Sequence, residues 1–307
     1  MTILEKIAEL FEIAADAEIT LEANPDDLTT GYLNRVSETP VNRLSIGVQS
    51  FFENDLKMMN RRHNAIQAVR CVEEAWNSGF SNISIDLIYG LPGLTNENWN
   101  TNLRKAFLLP INHLSAYHLT YHEGTRFFDL LKKGVLREMN EEDSVRQFEL
   151  LSETAAANNF DQYEISNFAK DGLISKHNTG YWFGEIYLGI GPSAHSFDIK
   201  SRQWNVSNLA EYLNFVKTGT GFTGSEILSK TDQFNDHIIT RLRTKWGIDK
   251  AYLGKRFGMD MALVFENSIR PFISSGFVNE SEGIYKLNRK GLFISDKIME
   301  ALIIAES

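Results

Sequence analysis

The sequence predicts an α/β protein: a parallel sheet flanked by helices, followed by a small C-terminal α+β module. Three observations predict it. Strand-like runs near Glu18–Asn24, Arg43–Gln49, Ile83–Tyr89 and His113–Thr120 alternate with helical stretches at about thirty-residue intervals, the pattern of βαβ units. The strands keep polar or small residues on one face and aliphatic residues on the other. From about Ser229 the pattern changes to three helices and a hairpin.

The elements follow in order. Ile3, Leu4, Ile7, Leu10 and Phe11 recur at helical spacing. Pro25 closes the first strand, and Asp26-Asp27-Leu28-Thr29 supplies helix caps for a helix to about Val36. The Arg43 strand leads to helical segments through Met59 and from Ala65 to Ser78, stopped by Gly79. The most informative stretch is Ile83-Ser84-Ile85-Asp86-Leu87-Ile88-Tyr89, ended by Gly90-Leu91-Pro92-Gly93. A carboxylate inside so apolar a strand is costly unless paired. Thr95 to Leu108 is a helix, and the His113 strand follows. Glu141 to Asn159 is a helix, Tyr163–Ala169 a short strand, and His177–Trp182 part of a loop. Leu188-Gly189-Ile190-Gly191 is glycine-punctuated and lets backbone approach a ligand closely.

The faces carry the functional signal. Thr20, Glu22 and Asn24 share one face, as do Ser45, Gly47 and Gln49, and Ser84 and Asp86. Ordinary parallel sheets are apolar on both faces. A polar face growing toward the strand ends predicts a sheet curved round a polar ligand, with Glu22, Gln49 and Asp86 at its mouth. The alternative is a hydrogen-bonded structural network in a packed barrel.

Composition narrows the rest. The net charge of −9 argues against a nucleic-acid or acidic-lipid surface. No apolar run approaches the roughly 20 residues of a membrane span. The N-terminus lacks the features of a signal peptide, and Cys71, the single cysteine, excludes internal disulfides. Both point to a reducing cytoplasm.

In the C-terminal module, helices at Asp232–Trp246, Ile248–Gly258 and Met261–Ser275 precede a hairpin turning at Gly283 and a last helix from Asp296. This is winged-helix-like. Its charges alternate and its third helix has no basic stripe, so a packing or lid role is expected rather than DNA reading.

Several motifs now occur together. They are Thr20-Leu21-Glu22-Ala23-Asn24-Pro25, Gly47-Val48-Gln49-Ser50-Phe51, Asn60-Arg61-Arg62-His63 and Ile85–Gly93. Downstream lie Tyr163–Ala169, His177-Asn178 with Tyr181-Trp182, and Leu188–Ser196. As a series covering almost the whole chain, they resemble the radical S-adenosylmethionine family of oxygen-independent coproporphyrinogen III oxidases, in its haem-chaperone branch. The resemblance implies an incomplete parallel (β/α) barrel of the radical SAM type over residues 1–125. It implies a connecting region at 126–228 that completes the site, and a winged-helix-like domain at 229–307. It also implies S-adenosylmethionine as ligand, with Glu22, Gln49, Arg61, Asp86, Thr120 and Ile190 at the family's contact positions. Haem or a porphyrinogen is the implied partner, with a haem-acceptor protein beyond it. His63, His118, His122, His177 and His195 are candidate haem ligands.

One departure is large. The family binds a [4Fe-4S] cluster through a Cys-x3-Cys-x2-Cys loop, and this sequence has no such triplet. Three thiolates are needed to hold the cluster with one iron open. The sequence therefore reads as a family member without its cluster-binding part, either truncated or degenerate. No catalytic residue is assigned, and the chain alone is expected to be inactive in radical chemistry. A sheet beginning in mid-barrel also predicts an exposed edge and self-association. Coproporphyrinogen III decarboxylation, and binding of S-adenosylmethionine or haem without catalysis, are the alternatives to haem transfer.

Overall fold

The computed structural model describes residues 3–220 and 224–305, which divide into two compact units, Met1–Ser175 and Lys176–Ser307. The expected 126–228 stretch is shared between them.

The first unit runs α1 (Ile3–Leu10), β1 (Thr20–Ala23), α2 (Thr30–Ser37), β2 (Arg43–Gln49), α3 (Glu53–Met58), α4 (Ala65–Asn77) and β3 (Ile83–Tyr89). It continues with α5 (Asn96–Leu108), β4 (His113–His118), α6 (Arg126–Lys132), α7 (Glu141–Ala157), β5 (Phe160–Gln162) and β6 (Asn167–Lys170). One sheet in the order β1-β2-β3-β4-β6-β5 forms its centre. The first four strands are parallel, as expected. The Tyr163–Ala169 stretch is not one strand. Its second half is β6, which pairs antiparallel with both β4 and β5.

Leu44, Ile46, Ile83, Ile85, Leu87 and Leu114 are fully buried on the sheet's apolar face. Each contributes about 1.5–3 kcal/mol on transfer from water. The helices start where the sequence places their caps: Thr29 accepts from Tyr32 N, Asn64 closes a capping box with Gln67, and Thr95 accepts from Asn98 N. Gln147 of α7 fixes the turn after β3, accepting from Gly90 N at 2.9 Å and donating to Leu94 O at 3.0 Å. In α1 no side chain is buried, and Ile3, Leu10 and Phe11 are exposed.

The second unit runs α8 (Lys176–Phe183), β7 (His195–Phe197), β8 (Ser201–Trp204), α9 (Leu209–Thr218), β9 (Gly224–Ile227), α10 (Lys230–Leu242) and β10 (Ile248–Asp249). Then come α11 (Lys250–Phe257), α12 (Met259–Ser274), β11 (Val278–Ser281), β12 (Ile284–Leu287), α13 (Arg289–Phe293) and α14 (Ser295–Leu302). His177–Trp182, expected in a loop, lies in α8. Its Asn, Thr, Gly and aromatic residues are poor helix formers, so propensity misleads there. The antiparallel β7-β8-β9 sheet was also not foreseen. Its strands of three and four residues are too short to give a period-2 signal.

The C-terminal module is winged-helix-like, as expected, with β10 added to the hairpin as a third strand. Phe234, Ile238, Leu253, Phe265, Ile269 and Ile298 form its buried core.

Candidate functional site

The strand register assembles the polar face in rows. Glu22 stands beside Ser45, Ser45 beside Ser84, and Ser84 beside His113. Toward the strand ends, Asp86 stands beside Ser115, and Ser115 beside Asn167. Glu22 on the edge strand is exposed, Ser45 and Asp86 are half-buried, and Ser84 and Ser115 are buried.

Gln49 reaches this region by an unexpected route. Strict alternation would keep it in step with Gly47, but the β2–β3 register slips between Ile46 and Gln49, pairing Gln49 with Leu87. Gln49 is itself left-handed, with φ of 67°. This bulge carries its side chain back over Gly47, where a β-carbon would come within 2.9 Å of Gln49 Nε2, 3.2 Å of Arg61 Nη2 and 3.8 Å of Asn24 Oδ1. The absence of a side chain at Gly47 makes room for three polar groups.

Arg61 ties the strand ends together. Its Nη2 donates to Asn24 Oδ1 at 2.5 Å, after β1, and to Gly47 O at 3.1 Å, on β2. Its other N–H groups make no hydrogen bond among the described residues, so part of the guanidinium fork remains for an external acceptor. Asp86 is pushed up to about 6. Burial is the main cause and the nearby Glu22 charge adds to it, while the Ser115 hydroxyl, Arg43 and Arg61 pull the other way. A carboxylate held this way gains when a cation arrives.

Beneath the face runs a buried chain that sequence reading missed. Ser84 Oγ lies 2.7 Å from His113 Nδ1, and His113 Nε2 lies 2.8 Å from Tyr163 Oη. Burial drops the imidazole to about 3, so it is neutral. The signal was present: His113, Ser115 and Tyr117 alternate with apolar Leu114 and Ala116. Arg43 is also buried, with Glu18 4.0 Å from its Nε.

The other two expected positions are not members of this row. Thr120 is exposed just beyond β4, its Oγ1 2.9 Å from His122 Nε2. Ile190 belongs to the second unit and is 69% exposed. There Asn205 Nδ2 donates to the carbonyls of Gly189 and Gly191, fixing the backbone on both sides of it.

Comparison with known proteins agrees with this architecture. Residues 2–106 match the model of the radical SAM superfamily, and residues 228–294 that of the HemN C-terminal domain. The chain is 31% identical over 303 residues to the heme chaperone HemW of Bacillus subtilis, covering 98% of this chain and 80% of that protein. The chain belongs to the HemW family of radical SAM proteins. Its identity to the heme chaperone HemW of Lactococcus lactis is also 31%, covering 98% of this chain and 79% of that one. Coproporphyrinogen III oxidase (HemN) of Escherichia coli, a radical SAM enzyme, shares the fold with a TM-score of 0.81 at 20% identity, over 98% of this chain and 73% of that one.

Radical SAM membership implies S-adenosylmethionine and an iron–sulfur cluster. The two groups fare differently against the residues present. The Gly47 gap, the remaining Arg61 N–H groups and the half-buried Asp86 form a cradle suited to a zwitterionic nucleoside. The cluster would need a thiolate triplet, and the sequence of this HemW-family chain holds a single cysteine. Cys71 is buried in α4, its thiol donates to Ala68 O, and burial pushes it up to about 12. Among the described residues no group of three His, Cys, Asp or Glu side chains is placed to hold a metal ion. No radical step is derived for these residues.

The histidines proposed as haem ligands sit in different settings. His63 is buried with Nε2 3.0 Å from Val48 O. His118 Nε2 lies 3.1 Å from Ser144 Oγ, and its Nδ1 lies 2.9 Å from Leu119 O. His177 is 2.8 Å from Tyr181 Oη, and His195 is exposed beside the Trp204 ring. No described helix is long and apolar enough to cross a membrane.

Proposed function

We propose that this HemW-family chain binds S-adenosylmethionine on the polar face of its parallel sheet and serves as a carrier that receives haem and passes it to an acceptor protein. The observation that carries the first half is the convergence of Arg61, Gln49 and Asn24 around the Gly47 gap, with Asp86 on the next strand. The second half draws on the relatives, which are described as heme chaperones.

Bound there, S-adenosylmethionine supplies a sulfonium joined to an amino-acid end and a nucleoside end. Arg61 forks the carboxylate with its remaining N–H groups. Asp86 and Glu22 take the amine or the ribose diol. Gln49, turned by its bulge, offers an amide to a polar edge. Thr120 supplies a hydroxyl. Ser115 orients Asp86 through its hydroxyl.

Calorimetric titration of this chain with S-adenosylmethionine tests the first half. Saturable binding is expected, weakened at least about tenfold by Arg61→Ala, a loss of about 1.4 kcal/mol or more. Absence of binding by the unmodified chain overturns it. Haem titration followed by the Soret band tests the second half, and an unshifted band removes the carrier reading.

A further inference from the structure

Strand β2 ends in a three-residue turn of a rare kind. Ser50 N donates back to Val48 O at 2.9 Å, with Gln49 between them in the left-handed region at φ of 67°. A turn this tight with positive φ at its centre is strained, and for a residue with a side chain it persists only where its neighbours over-determine it. The strain falls on the residue whose amide hangs over the Gly47 gap.

One short segment supplies two of those neighbours. Arg61-Arg62-His63 follows Asn60, itself left-handed at φ of 54°, just beyond α3. Arg61 Nη2 donates to Gly47 O, and His63 Nε2 lies 3.0 Å from Val48 O, the next carbonyl along the strand. A carbonyl can only accept, so the ring carries its proton on Nε2. Ser50 N and His63 Nε2 then fill both lone pairs of Val48 O. The exit from the turn is fixed separately, by Ser50 Oγ on Asp55 Oδ2 at 2.6 Å and Phe51 N on Asn102 Oδ1 at 2.8 Å.

All of the ring's hydrogen bonding goes to this turn. His63 is 3% exposed, and its Nδ1 has no hydrogen-bond partner among the described residues. Asp26 Oδ1 is 4.0 Å from that nitrogen, while the other Asp26 oxygen pairs with Arg62 at 2.8 Å. Burial is the main cause that holds the imidazole below its usual range, and the Arg61 charge adds to it. The Val48 bond and the Asp26 and Glu53 charges act the other way. A neutral ring with one bare buried nitrogen is a costly way to fill space alone.

We propose that His63 is a positioning residue for the S-adenosylmethionine face: by holding the Val48 carbonyl it keeps the Gln49 turn closed, and with Arg61 it sets the polar groups that flank the Gly47 gap. The inference rests on the S-adenosylmethionine reading and names what holds that site in shape. Without the His63 N–H, Val48 O keeps only its strained bond to Ser50, Gln49 relaxes toward extended backbone, and its amide leaves the gap.

The test is calorimetric titration of His63 variants with S-adenosylmethionine, beside their thermal melts. His63→Gln, whose amide can donate from nearly the same place, is expected to bind like the unmodified chain. His63→Leu has similar bulk and no donor, and the amide of His63→Asn falls short of Val48. Both are expected to bind at least about tenfold more weakly while still melting cooperatively. A purely structural role predicts instead that every variant folded at the titration temperature binds normally. That result for His63→Leu and His63→Asn overturns the proposal and leaves the ligand reading standing. Failure of the unmodified chain to bind overturns the ligand reading, and the positioning role with it. Nitrogen NMR of the ring in the unmodified chain is independent of any variant's folding. A neutral ring protonated on Nε2 is expected, and a neutral ring protonated on Nδ1 overturns the proposal.

Discussion

A β-carbon built on Gly47 would stand 2.9 Å from the side-chain amide nitrogen of Gln49. That separation is shorter than real β-carbons tolerate, so the amide end of the Gln49 side chain has to swing out of its place over the gap. Arg61 Nη2, 3.2 Å from the same point, has less freedom, because it is anchored on Asn24 and the Gly47 carbonyl.

Gly47→Ala therefore acts on the site rather than on the strand alone. Displacing Gln49 and Arg61 is expected to abolish S-adenosylmethionine binding and to destabilise by about 1–3 kcal/mol, the usual range for overpacking. Urea unfolding together with calorimetric titration measures both. Normal binding by this variant would mean that the gap is not the ligand cradle.

Asp86 trades stability against binding. Its folded carboxyl titrates near 6, above the ordinary value of 3.8. Between those values the folded state holds the proton more tightly than the unfolded one, so this group's stabilisation is full below pH 3.8 and lost as pH rises through 6. Asp86→Asn should thus raise the melting temperature of the ligand-free chain at pH 7.5 and have much less effect at pH 4.5. The same substitution should weaken S-adenosylmethionine at pH 7.5. For the unmodified chain, affinity should rise between pH 5 and 7 as the carboxylate forms. A flat affinity profile would remove Asp86 from the cation contact.

The turn that ends β3 depends on one amide. Gln147→Ala leaves the buried Gly90 N–H and Leu94 carbonyl without their side-chain partner. A cost of about 2–3 kcal/mol is expected. Gln147→Glu keeps an acceptor for Gly90 but can donate to Leu94 only while its carboxyl is protonated, so its loss should be intermediate at pH 5 and larger at pH 8. Unfolding midpoints of the two variants at pH 5 and pH 8 make the comparison.

Cys71 should behave as a core residue. With its thiol pushed up to about 12, it is expected to resist alkylation at pH 8 in the folded chain and to react promptly in denaturant. Anaerobic reconstitution of these residues with iron and sulfide should leave no charge-transfer band near that of a bound cluster, and Cys71→Ala should not alter that result. Rapid labelling of the native thiol would contradict its placement in α4.

Much of the first unit was legible because its signals are local. Arg43–Gln49 was read to the residue, since β-branched and aliphatic alternation sets a strand and the next helix needs a cap. The polar rows through Glu22, Ser45, Ser84 and Asp86 were legible for the same reason: a pleat has a period of two. The reading failed where that period is broken. Gln49 was placed on the polar face by alternation, but it arrives there through a bulge and a left-handed backbone, which only the pairing of β2 with β3 reveals. His113 was passed over because a lone histidine in a strand has no meaning until Ser84 and Tyr163 are seen on its two nitrogens.

The amino-acid order by itself determined the βαβ succession, the winged C-terminal module, the polar strand face and the lack of a thiolate triplet. Each of these depends on spacing along one segment or on residue counts. Tertiary structure decided the antiparallel β5–β6 closure, the helical state of His177–Trp182, the packing of Gln49 and Arg61 over Gly47, and the burial of His113 between Ser84 and Tyr163. These depend on which distant segments meet, and a side chain's hydrogen-bond partners and desolvation are fixed only when they do.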